Sequence, residues 1–132
     1  MSQENVEIVQ AAWEAWNAGD IGSATSAFHP EVRWHVAEDE PDAETVVGIE
    51  GVVREATSWA AAFEDFRGEP QEFIDVGERV VVLIHFRGRA RETDSYVEIE
   101  ETQVYLLRDR KIIEVREYRS RAEALEAVGL QE

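Results

Sequence analysis

Apolar residues near the start of the chain recur at intervals of three and four. Val6, Val9, Trp13 and Trp16 therefore share one face of a helix of ~3.6 residues per turn. Ser2 is a candidate cap, and Gly19 in Asn17-Ala18-Gly19-Asp20 supplies the stop. Asp20 then caps a short second helix running to Phe28. His29-Pro30 ends it, because a residue before proline is pushed out of the helical region. From Val32 to Ala37 the period falls to two. Val32, Trp34 and Val36 point one way, Arg33 and His35 the other. Glu38 to Val47 reads as an acidic loop around Pro41, a lid or a solvated connection. Helical spacing returns from Ile49 to Phe63, with Val52, Val53, Ala56, Trp59, Ala60 and Phe63 as its apolar face.

Beyond Arg67 the pattern is that of strands. Glu72 to Val76, Arg79 to Arg89, Tyr96 to Arg108 and Lys111 to Arg119 are the candidates. Gly77-Glu78 and Asp109-Arg110 have hairpin spacing, so the strands form an antiparallel meander. Arg121 to Val128 is a last short helix ended by Gly129. Helices followed by a run of long strands predict an α+β fold in one domain covering residues 1–132. A twisted sheet of that length curls, and the helices fill its concave face, leaving a hollow suited to a ligand.

Composition narrows the function classes. The formal net charge is −16, a field that repels nucleic-acid backbones and anionic membrane surfaces. With no cysteine, disulfides, thiolate metal sites and a cysteine nucleophile are excluded. The N-terminus shows no signal-peptide pattern, and the longest apolar run, Val80 to Ile84, has the length of a strand rather than of the ~20 residues of a membrane span. A cytoplasmic protein is expected. Residues 38–44 carry Glu38, Asp39, Glu40, Asp42 and Glu44 without the spacing of a calcium loop. No metal or phosphate motif is present, so no cofactor is expected.

Several segments resemble a known family. They are Ala12-Trp13-Glu14-Ala15-Trp16-Asn17-Ala18-Gly19-Asp20, Phe28-His29-Pro30-Glu31-Val32-Arg33-Trp34, Gly48-Ile49-Glu50-Gly51, residues 107–118 and residues 122–130. Their order and spacing are similar to SnoaL-like proteins of the nuclear-transport-factor-2-like superfamily, which includes polyketide cyclases and ketosteroid isomerases. The resemblance implies a cone-shaped curved antiparallel sheet packed on N-terminal helices, a cystatin-like α+β barrel. Such a fold hosts many activities, so each is tested by position. The steroid isomerase roles of tyrosine, base and second acid fall at Ala12, near Val36 or Ala37, and at about Gln103. None of these can fill its role. The cyclase acid/base position on the last strand corresponds to Glu117, and its partner histidine to about Gln103. The family's usual glycine before Lys111-Ile112 is Arg110 here, a change able to alter the turn and shift the strand register.

Strand parity then selects the site. If Glu117 faces the hollow, so do Ile113, Val115 and Arg119, with Ile99, Glu101, Gln103, Tyr105 and Leu107 on the preceding strand. Glu117 is an acid/base candidate, or one half of an ion pair with Arg119. Gln103, Tyr105 and Arg119 are candidates for orienting a substrate. Trp13, Trp16, Trp34, Trp59 and Phe63 either pack the core or stack on a flat, apolar, cyclic ligand. His35 lies opposite Trp34. The strand at residues 80–86 is apolar on both sides, which leaves His85 able to face the hollow or a partner. The same two-sided apolarity suggests a homodimer through the sheet. The reading is a small-molecule-binding protein, and as an enzyme a cofactor-free isomerase, cyclase or hydratase. The alternative is a non-catalytic binding or dimerisation module.

Overall fold

The computed structural model describes residues 2–37 and 45–130. Helix α1 (Ser2–Asn17) and the short α2 (Ile21–Thr25) are followed by β1 (Phe28–His35), β2 (Thr45–Val47) and helix α3 (Ile49–Ala61). Four long strands follow: β3 (Phe63–Val76), β4 (Arg79–Ala90), β5 (Tyr96–Arg108) and β6 (Lys111–Tyr118), then helix α4 (Arg121–Ala127). The strands form one curved, unclosed sheet in the order β2-β1-β6-β5-β4-β3. Every neighbouring pair is antiparallel except β1 and β6, which run parallel.

The helical ends follow from local chemistry. Asp20 accepts from the Ser23 amide at 3.2 Å and caps α2, satisfying one of the amides that a helix start leaves unpaired. Ser120 does the same for α4 through Glu123 at 3.3 Å. The β5–β6 turn has two residues, Asp109 at φ 51° and Arg110 at φ 65°, the left-handed pair that a tight hairpin requires.

The sheet is apolar on two sides for two different reasons. On its inner face Val32, Val80, Val82, Ile84, Tyr105, Leu107, Ile112 and Val115 pack with Val6 and Val9 of α1 and Val52 of α3. On its outer face Val81 and Val104 are covered by Ala124 and Leu125 of α4. The two-sided apolarity of β4 thus has a cover within the chain. His85 shares the outer parity of Val81 and Leu83, and its Nε2 lies 3.1 Å from Glu98.

Three strand expectations change. β1 starts at Phe28, not Val32. Pro30 is accommodated because the β1–β6 register breaks between Phe28 and Arg33, where no ladder donor is needed. β3 starts at Phe63, not Glu72, and takes residues expected at the end of α3. Its alternation is interrupted by register shifts between Glu64 and Arg67 and between Pro70 and Glu72, which hide a strand from a period-two reading. β3 is also an edge strand, and these irregularities with Pro70 blunt it against edge-to-edge pairing. Finally, Leu106 pairs with Glu114 and Leu107 with Ile112. That bulge seats Ile112 in the inner core in place of Ile113, the residue that simple alternation puts there.

Candidate functional site

The polar side chains of the inner face converge on the middle of β5 and the end of β6. Glu101, Gln103 and Tyr105 are two residues apart on β5 and therefore share a face. Glu117 pairs directly across from Gln103. Trp34 is registered against Val115 on the parallel side, so its indole reaches the next inward residue of β6. Its Nε1 donates to Oε2 of Glu117 at 2.6 Å. The ring of Trp34 meets that of Tyr105 edge-on, with centroids 6.2 Å apart.

A chain of hydrogen bonds runs along β5. Trp13 Nε1 donates to the Tyr105 hydroxyl at 3.1 Å. Tyr105 donates to Oε1 of Gln103 at 2.6 Å, and Gln103 Nε2 donates to Oε2 of Glu101 at 2.7 Å. Tyr105 and Gln103 are 3% and 2% exposed, so an unsatisfied polar atom here is costly. Burial pushes the Tyr105 phenol well above its ordinary range. The hydrogen bond from Trp13 works against that shift, and the negative charges of Glu101 and Glu117 add to it. Tyr105 thus stays a neutral phenol with its proton committed to Gln103, and the Trp13 N–H is committed to Tyr105.

The other sequence candidates are placed around this centre or away from it. Trp16 is half-buried on α1, outside the hydrogen-bonded chain. Trp59 is 41% exposed and stacks on Phe63, at 6.1 Å and 6° between planes. Rings then follow from Phe63 to Phe66, Phe86 and Trp13 at centroid distances of 5.2, 5.6 and 6.3 Å. Trp59 and Phe63 form the far end of an aromatic packing row, and Trp13 is its link to Tyr105. Arg119 is exposed one residue past the end of β6. His85 lies on the outer face, away from Glu117. His35 is opposite Trp34, as parity predicts, with Nδ1 3.0 Å from the Thr45 hydroxyl.

Strand parity puts Glu101 on the face of the hollow but assigns it no role; the structure gives it one, as the acceptor of the Gln103 amide. Its parity with Gln103 was the available signal. A cleft of about 360 Å³ lies elsewhere, lined by Glu64, Asp65, Arg67, Arg87, Gly88, Arg89 and Tyr96, and includes none of the site residues. Among the described residues no group of three acidic or histidine side chains is placed to hold a metal. No helix among them is long and apolar enough to cross a membrane. The acidic residues Glu38, Asp39, Glu40, Asp42 and Glu44 lie outside the described residues.

Comparison with known proteins places this arrangement in a setting. The model of the SnoaL-like domain matches residues 9–115. No curated protein matches the sequence. An NTF2-like protein of unknown function from Burkholderia pseudomallei is 23% identical, with a TM-score of 0.76 over 96% of this chain and 98% of that one. A SnoaL-like, polyketide-cyclase-like protein from Mesorhizobium loti is 22% identical, with a TM-score of 0.70 over 85% and 96%. A protein with a ketosteroid isomerase-like fold from Catenulispora acidiphila, in complex with trimethylamine, is 18% identical, with a TM-score of 0.72 over 94% and 93%. At these identities the likeness is one of fold.

Proposed function

The chain belongs to the SnoaL-like domain family, and from that premise we propose that it is a cofactor-free acid/base enzyme acting on a small, apolar, cyclic molecule, with Glu117 as the proton-transfer group. One observation carries this reading. Glu117 stands on the inner face of the sheet, held by the Trp34 indole at 2.6 Å and directly opposite the buried amide of Gln103. A carboxylate held in place by the Trp34 indole and set beside the aromatic rings of Trp34 and Tyr105 is suited to taking a proton from carbon and returning it. In such a step the Glu117 carboxylate accepts a proton from the carbon beside a carbonyl. The C–H electron pair moves toward the carbonyl oxygen, forming an enolate. The same carboxyl returns the proton to that carbon or to its conjugated neighbour. Isomerisation and aldol-type cyclisation share this opening step; in hydration, water adds to the conjugated carbon first and the carboxyl then delivers the proton to the carbon beside the carbonyl. Arg119, at the strand end, and Gln103 orient the substrate.

The test is deuterium uptake from D2O into the acidic C–H positions of 2-tetralone, a bicyclic ketone, followed by NMR. Wild type exchanges faster than buffer, and Glu117→Gln returns to the buffer rate. Equal rates for the two proteins would sink the reading.

A non-catalytic binding module is the second reading. It is favoured by the closed hydrogen bonding of Trp13 and Tyr105, which leaves neither proton for a substrate. A protein that binds the ketone without accelerating exchange fits it.

A further inference from the structure

Helix α4 covers the outer face of the sheet at Val81 and Val104. Further along β4 the same face is charged and open. Arg87 and Arg89 share the outward parity of Val81 and Leu83. Arg87 pairs directly with Arg67 of β3, and Arg89 with Tyr96 of β5. These four side chains, with Glu64 and Asp65, line the cleft of about 360 Å³. Small-molecule sites begin at about 300 Å³.

The charges in this cleft are set against one another. Like charges directly opposite on paired strands are destabilising, and opposite charges stabilise. With 29 acidic residues against 13 basic ones, the chain has carboxylates to spare. Yet it sets Arg67 directly opposite Arg87. Arg87 turns to Glu69 at 2.9 Å, Arg89 lies 3.8 Å from Asp94, and Glu64 is taken by Arg91 at 3.4 Å. Arg67 has no carboxylate partner among the described residues. A bulge puts it there. Glu64 is opposite Arg89, so strict pairing would set Phe66 against Arg87 and Arg67 against Phe86. The register shift between Glu64 and Arg67 moves Arg67 to the outer face and leaves Phe66 stacked on Phe86 at 5.6 Å. It does so with Asp65 at φ 55°, a region unfavourable for a residue with a side chain.

We propose that this cleft binds a small aromatic monocarboxylate, with the carboxylate between Arg67 and Arg87 and the ring on Tyr96. The site is separate from Glu117 and does not depend on the proton-transfer reading. A guanidinium presents paired N–H donors that match the two oxygens of a carboxylate. An anion between Arg67 and Arg87 replaces one repulsion by two attractions. Tyr96 is 57% exposed and offers an open aromatic face for offset stacking. Glu64 and Asp65 limit the charge of the ligand, since they repel a dianion such as phosphate more than a carboxylate.

The experiment titrates the full chain with 2-naphthoate, 2-naphthamide, acetate and inorganic phosphate, and follows the arginine Nε–Hε signals by ¹H–¹⁵N NMR. Wild type binds 2-naphthoate saturably at millimolar concentration, at least about tenfold more tightly than the neutral amide. The signals of Arg67 and Arg87 move. Arg67→Ala and Arg87→Ala each weaken naphthoate binding about tenfold, and Arg67→Lys recovers only part of the loss, because an ammonium lacks the planar fork. Tyr96→Ser weakens naphthoate severalfold and leaves acetate unchanged. The urea midpoint of Arg67→Ala is not lowered, since the substitution removes a like-charge contact. Equal affinity for acid and amide, tighter binding of phosphate than of naphthoate, full affinity in Arg67→Ala, or shifts at the Trp13 and Trp34 indoles in place of the arginines would each overturn the proposal. So would no saturation by any probe. Sedimentation velocity adds one more check. A dimer that Arg67→Ala dissociates would also overturn it, because the arginines would then meet a second copy of the chain.

Discussion

The indole of Trp34 and the carboxylate of Glu117 are 83 residues apart in sequence and 2.6 Å apart in the fold. The parallel pairing of β1 with β6 brings them together, with Trp34 registered on Val115 and Glu117 the next inward residue. A hydrogen bond to a charged group contributes about 1.5–3 kcal/mol when shielded and less when half-buried. Trp34→Phe keeps the ring packing and removes the donor. It lowers stability by about 1.5 kcal/mol in urea unfolding. Combined with Glu117→Gln in a double-mutant cycle, the two losses are not additive. A coupling energy indistinguishable from zero would show that the contact contributes no pairwise energy.

Tyr105 gives the fold a dependence on alkaline pH. Its folded-state proton affinity is raised above that of the unfolded chain, chiefly by burial. The unfolded phenol loses its proton near pH ~10, while the folded one keeps it. The stability this contributes is fully present below pH ~10 and is lost as pH rises above it, at ~1.4 kcal/mol per pH unit. Unfolding measured from pH 9 to 11 shows that slope, and Tyr105→Phe removes its share. Absorbance at 295 nm shows one tyrosine that ionises only on unfolding.

Gly68 controls the placement of Trp13. A Cβ there would lie 2.7 Å from Cε1 of Phe86 and 3.2 Å from Cζ3 of Trp13. Phe86 is packed between Phe66 and Trp13 and cannot turn away cheaply. Gly68→Ala therefore costs about 1–3 kcal/mol by overpacking. It also displaces the indole from Tyr105, seen as a changed tryptophan fluorescence. Unchanged fluorescence and stability would mean that the strand moves instead.

The β5–β6 turn is strained at Arg110. Arg110 takes φ 65°, a region that costs a non-glycine residue about 1–2 kcal/mol. Its side chain pairs with Glu4, an exposed contact of small value. Arg110→Gly raises stability by about 1 kcal/mol, read as a higher urea midpoint at constant slope. A lower midpoint would mean that the tie between the turn and α1 outweighs the backbone strain.

The chain's own pattern determined most of the elements and the fold class. Val6, Val9 and Trp13 announced α1 through their spacing, and Gly77-Glu78 and Asp109-Arg110 announced the hairpins, because helix period and turn chemistry are local properties. The parity of Glu101, Gln103 and Tyr105 was equally legible, since side chains along a strand alternate by construction. Tertiary structure decided what those residues meet. No local signal pairs Trp34 with Glu117 or Trp13 with Tyr105, contacts that exist only once β1 lies beside β6 and α1 packs on the inner face of the sheet. The face of His85 was undecidable from a strand apolar on both sides until α4 covered Val81. The bulge at Ile113 and the irregular start of β3 escaped because a single extra residue reverses parity and leaves no mark in composition. The sequence thus supplied the polar groups of the site, and only the packing of distant elements gave their hydrogen bonds a direction.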